Sequence, residues 1–209
     1  MISLAKSERA QLCDLLDRVG PDAPTLCEGW LARDLAAHLV LREGRPDAAP
    51  GIAIDWMSEW TTRVQHALAS GNYRRLVQRL RSGPPAWSLF RLPRIGDAAN
   101  GVEFFVHHED VRRAQPGWKP RELNRDVQDQ LWRRVCRMAP LLTRGVARTE
   151  LNRTDTGETY VSAGRGKRSE AHEKLSVSGE PAELLLYLYG RREHAQVTLD
   201  GDPSSLRAL

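Results

Sequence analysis

Apolar positions in the first half of the chain recur at intervals of three and four residues. Leu4, Leu12, Leu15, Leu16 and Val19 make one helical stripe, which stops at Gly20-Pro21. Leu31, Leu35, His38 and Leu39 predict a second helix from about Trp30 to Glu43. Trp56, Trp60, Val64 and Leu68 predict a third, ending near Ser70-Gly71. Tyr73 to Arg81 reads as a short helical continuation, broken by Gly83-Pro84-Pro85. A loop with Pro93 and Gly96 leads into the last strong helix of this half, from about Asp97 to Ala114, closed by Pro116-Gly117. Four main helices with short and medium connections predict an up-and-down bundle.

The pattern changes past Pro120. Asn124 is placed to cap a helix carrying Val127, Leu131, Val135, Met138 and Leu142, which Pro140 is expected to bend or end. After Gly145 the period falls towards two. Val146 to Asn152 and Thr159 to Ser162 flank Asp155-Thr156-Gly157, a hairpin signal, and Leu175-Ser176-Val177 reads as a further short strand. Pro181 opens a helix through Leu184, Leu185 and Leu188 to Gly190, and Gln196 to Leu199 is a last strand. Helices first and mixed elements afterwards imply an α+β chain of two domains. The boundary is placed where Pro, Gly and charge meet near 116–124, giving domains over 1–118 and 119–209.

Composition narrows the class. The 209 residues are 41% hydrophobic and 28% charged, the profile of a soluble globular protein. No apolar run approaches the roughly 20 residues that span a bilayer, and the charged start lacks the apolar core of a signal peptide. Cys13, Cys27 and Cys136 stand far apart in no CxxC spacing, which fits a reducing cytoplasm and argues against a disulfide framework or thiolate zinc site. The formal charge of +4 is spread along the chain among acids, with no basic block, so no nucleic-acid or membrane partner is expected.

Candidate chemistry comes from the 6 histidines. His38 lies on the inward stripe of its helix, seven residues after Leu31 and three after Leu35. Glu103 and His107 are one turn apart and share a face, with Asp110 following at nearly the same side. Two inward imidazoles and one carboxylate match a catalytic-type divalent-metal site with a position left for water or substrate, and Asp110 fits a supporting acceptor or weaker ligand. A plainer reading fits the same residues: a core histidine satisfied by a hydrogen bond, and an i,i+4 Glu–His pair. The ligand set accepts zinc, nickel, iron or cobalt. His108 points towards a different face, while His66, His172 and His194 read as exposed. Gly164-Arg165-Gly166-Lys167-Arg168 reads as a loop, and no GxSxG, P-loop, GxGxxG or HExxH motif is present.

Two stretches, Cys27-Glu28-Gly29-Trp30 with Asp34-Leu35-Ala36-Ala37-His38-Leu39, and Glu103 to Val111, resemble the mycothiol-dependent maleylpyruvate isomerase family of the DinB-like superfamily. The tail Gly179 to Arg191, with Leu199-Asp200-Gly201-Asp202, is similar to that family's C-terminal domain. The resemblance implies a DinB-like metal-binding four-helix bundle followed by a small sterol-carrier-protein-like α/β domain. It implies zinc held by His38, Glu103 and His107, with Arg191 in the position of a C-terminal arginine tied to activity. It looks closer to an uncharacterised metal-binding branch than to the isomerase itself. The expected function is thiol-dependent transfer or isomerisation of a small electrophilic substrate, with mycothiol as co-substrate, in a cytoplasmic monomer or homodimer. A non-catalytic metal-dependent ligand-binding or sensor protein is the alternative.

Overall fold

The computed structural model describes residues 3–47, 49, 58–91, 93–143, 148–162 and 175–201, with the backbone alone at 89 and 93–99. The chain divides into two compact units, Met1–Lys119 and Pro120–Leu209.

The first unit is helical: α1 (Leu4–Val19), α2 (Ala32–Gly44), α3 (Ser58–Ala69), α4 (Tyr73–Ser82) and α5 (Pro93–Arg113). Local chemistry sets the ends. Ser3 accepts the Lys6 amide at 3.3 Å to start α1, and Gly20, at φ +81°, closes it by donating to the Leu16 carbonyl. Asp34 in the first turn of α2 reaches back to accept the Leu31 amide at 3.0 Å. The 73–81 segment is a helix in its own right rather than a continuation, because Asn72 caps it through the Arg75 amide at 3.0 Å. α5 begins at Pro93, earlier than the expected Asp97, since proline's fixed φ and missing N–H suit a first helical position. α1 packs on α5, α2 on α3, and α4 on both α1 and α2. Leu12, Leu16, Leu35, Leu39, Val77, Leu80 and Phe104 fill the space between them.

The second unit places α6 (Arg125–Leu142) and α7 (Pro181–Leu188) with a four-stranded sheet ordered β2-β1-β3-β4. Asn124 caps α6 through the Val127 amide at 3.0 Å, and the helix runs through Pro140 to Leu142 instead of ending there. β1 (Thr149–Arg153) and β2 (Thr159–Ser162) form the expected antiparallel hairpin, with Gly157 at φ +79° in its turn. β3 (Leu175–Gly179) lies parallel to β1, pairing Leu151 with Val177, and β4 (Thr198–Asp200) is antiparallel to β3. Alternate residues of β1 and β3 are buried, so Thr149, Leu151, Arg153, Leu175 and Val177 share the inner face. Arg153 is among these buried residues because carboxylates surround it: Asp129 at 2.6 Å, Asp155 at 2.7 Å and Glu158 at 3.6 Å. α7 is buried at every position, in keeping with its unbroken apolar run from Leu184 to Leu188.

Trp56, His172 and the Gly164–Arg168 stretch lie outside the described residues. Among the described residues, no helix is long and apolar enough to cross a membrane.

Candidate metal centre

The site is assembled from α2, α5 and the segment that leads into α2. Residues 35 to 41 of α2 are buried on every side, so His38 stands inside the bundle with 7% of its surface exposed. The Trp30 ring packs against its imidazole at a centroid distance of 5.0 Å. Across from it, the one-turn spacing on α5 brings His107 Nε2 to 3.3 Å from Glu103 Oε1. The same carboxylate oxygen lies 3.3 Å from His38 Nε2. The two imidazoles stand edge to face, 5.4 Å apart between centroids. Three potential ligand atoms from His38, Glu103 and His107 thus lie within 4.8 Å of one another.

A second layer supports the first. Asp110, fully buried, meets His107 Nδ1 at 2.9 Å through Oδ2. That contact engages Nδ1 and leaves Nε2 as the ring nitrogen that faces Glu103. The Cys27 thiol donates to the same Asp110 oxygen at 3.3 Å and lies 3.8 Å from His107 Nδ1. The Leu26 amide donates to the Asp110 carbonyl at 3.0 Å, tying the 25–30 segment to α5. Arg42, one turn beyond His38, brings Nε to 3.6 Å from Glu103 Oε1 and donates to the Asn100 side-chain oxygen.

Electrostatics follow from this packing. Burial pushes the Glu103 carboxyl up, but contacts with His107, His38 and Arg42 more than reverse that and hold it ionised, below the ordinary carboxylate range. Burial also opposes the charged form of His107. Asp110, Cys27 and Glu103 outweigh it and raise that imidazole well above its ordinary value. At His38 burial prevails over the Glu103 hydrogen bond, and its pKa is lowered. A carboxylate between one readily protonated and one neutral imidazole is a donor set that a dication matches in charge and ligand type.

Cys27, His107 and Asp110 form a second group of potential ligand atoms within 4.8 Å. His107 offers Nε2 to the first group and Nδ1 to this one. Nδ1 is hydrogen-bonded to Asp110, and Asp110 accepts from the Cys27 thiol, so the second group forms a hydrogen-bonded brace behind His107.

Sequence spacing did not mark Cys27, whose partner Asp110 is 83 residues away. His108 does face away from His107, but that face packs on α1, where its Nδ1 meets Glu8 at 2.8 Å and both side chains are buried. A signal for this was present: Glu8 lies one turn from both Leu4 and Leu12 on the inward stripe of α1. His66 is exposed on α3, and His194 sits half-buried in a short 3-10 turn of the second unit. Arg191, at the start of that turn, donates to the Tyr189 carbonyl at 2.6 Å.

No protein-family model and no curated protein matches the sequence. Among solved structures, the chain is similar to the crystal structure of the mycothiol-dependent maleylpyruvate isomerase, with a TM-score of 0.61 and 16% identity over 99% of this chain and 94% of that one. A variant of that enzyme with one histidine replaced by alanine gives a TM-score of 0.63 at the same identity and coverage. At such identity the likeness is one of fold.

Proposed function

We propose that the chain holds one divalent cation, zinc by preference, between His38, Glu103 and His107, and serves as a thiol-dependent transferase or isomerase with mycothiol as co-substrate. The observation carrying this reading is the convergence of two imidazole nitrogens and one carboxylate oxygen from two helices on a common point. The fold likeness to an enzyme named as mycothiol-dependent supports the choice of thiol. On the same reading residues 1–118 are the DinB-like bundle and 119–209 the sterol-carrier-like domain.

A cation bound there supplies Lewis acidity that lets a thiol or a water give up its proton near neutral pH. The remaining work falls to the chain. Asp110 fixes the His107 tautomer. Trp30 covers one side of the His38 ring. Arg42 sets a positive charge beside Glu103, which favours ligands bearing a carboxylate. Arg191, or another arginine, is assigned the task of pairing with a carboxylate on thiol or substrate.

Metal analysis of the purified protein tests the first half, with about one equivalent expected per chain and most of it lost in His38→Ala and Glu103→Gln. Incubation with mycothiol and an electrophile such as maleylpyruvate tests the second. Turnover or adduct formation is expected in the native protein, lost in His38→Ala and weakened in Arg191→Ala. Activity that survives His38→Ala overturns the mechanism. Full metal occupancy without any turnover would leave a metal-dependent binding protein.

A further inference from the structure

The first unit contains a cavity of about 560 Å³ that the metal centre does not use. It opens among the first turns of α1, the C-terminal end of α4, residues 90–91 and Asn100. Its size is that of a small-molecule site. Among the described residues that line it, Lys6, Arg9, Arg81 and Arg91 carry charge and none is acidic.

Two of these cations are braced from outside the cavity wall. Arg9 donates to Glu43 at 2.5 Å and to the Leu80 carbonyl at 3.2 Å, and its guanidinium lies over the Phe104 ring at 4.6 Å. Glu43 is itself held by the buried Asn100 amide at 2.6 Å. Gly83 adds to the fit: a Cβ there would fall 2.8 Å from Arg9 Nη1, so the missing side chain makes room for the guanidinium. Arg81 donates to Asp14 at 2.6 Å and to Asp17 at 2.7 Å. Lys6 and Arg91 are exposed and have no ion-pair partner among the described residues.

Fixed guanidiniums retain donors that their acids do not use, since each carries five N–H groups. Two further cations, with no acidic partner among the described residues, stand at the same cavity. Together they raise the concentration of negative charge in a bounded volume, which is the electrostatic condition for anion capture.

We propose that this cavity binds a small oxyanion carrying two or more negative charges, with Arg9 and Arg81 as its fixed wall and Lys6 and Arg91 closing upon it. The chemistry recognised is that of clustered carboxylate or phosphate oxygens, and the two are separable by experiment. None of the lining residues is a proposed metal ligand, so the inference stands or falls apart from the metal reading.

Isothermal titration of the full chain with citrate, and separately with inorganic pyrophosphate, at constant ionic strength is the test. Saturable binding at one site per chain is expected for at least one anion. Citrate alone would assign carboxylates and pyrophosphate alone phosphates. The double variant Lys6→Ala/Arg91→Ala is expected to weaken binding at least tenfold. The control Arg74→Ala/Arg75→Ala, which removes the same charge from the exposed side of α4, is expected to stay within twofold. Absence of saturable binding by either anion overturns the proposal. So does equal weakening in the two double variants, which would mean diffuse charge attraction. Binding that vanishes after the protein is stripped of metal and dialysed would place the anion on the metal and overturn it too.

Discussion

His107 divides its two ring nitrogens between two tasks: Nδ1 meets Asp110 and Nε2 meets Glu103. Removing the charge but not the shape of Asp110 isolates the first task. Asp110→Asn is expected to weaken zinc affinity about 10–100-fold, the usual effect of losing such a support. Competition against a chromophoric chelator measures it, and an affinity within twofold of the native protein would reduce Asp110 to packing. The raised pKa of His107 sets the direction of a pH effect. Below that pKa the imidazole carries a proton that a cation must expel. Zinc affinity is therefore expected to rise with pH, by up to about one logarithmic unit per pH unit from this residue, and to level off above the raised value. Titrations in buffers of different ionisation enthalpy count the released proton directly. Cys13 behaves oppositely to an exposed thiol: burial pushes its pKa to about 11 against weaker help from Arg81 and Arg9, so it should be the last cysteine alkylated in the native protein.

Elements rather than single residues decide whether the site exists at all. α2 is buried over most of its length, so the helix that presents His38 is also a wall of the core. Leu35→Ala, on the turn before His38, is expected to cost about 2–5 kcal/mol in chemical denaturation with an unchanged m-value. In the other unit, Arg153→Met removes the cation common to Asp129, Asp155 and Glu158. Those acids are partly solvated, so the expected loss is about 2–3 kcal/mol, below the range for a fully buried pair. These elements also show what a sequence reveals. Caps and breakers at Gly20, Asn124 and Gly157 act locally, and helix ends and the hairpin are legible from them. The one-turn pairing of Glu103 with His107 is legible for the same reason. The parallel pairing of β1 with β3 and the approach of Cys27 to Asp110 depend on contacts distant in sequence, which no local period encodes. Period-two alternation places Arg153 on the inner face, and only the three acids around it explain why a charge stays there.

At the scale of the whole molecule, the proposed ligands His38, Glu103 and His107, the Asp110–Cys27 brace and Arg42 all belong to Met1–Lys119. A fragment ending at Lys119 is accordingly expected to bind zinc within about threefold of the full chain's affinity, while lacking any contribution from Arg191. Equilibrium dialysis of the two proteins side by side checks this, and failure of a folded fragment to take up metal would overturn the three-residue reading. The packing of Trp30 on His38 carries a further consequence. On the proposed reading, an indole beside a ligand ring is a built-in optical gauge: an ion held by His38 would alter the charge and motion of the indole's neighbour, and the light it emits should change as the ion arrives.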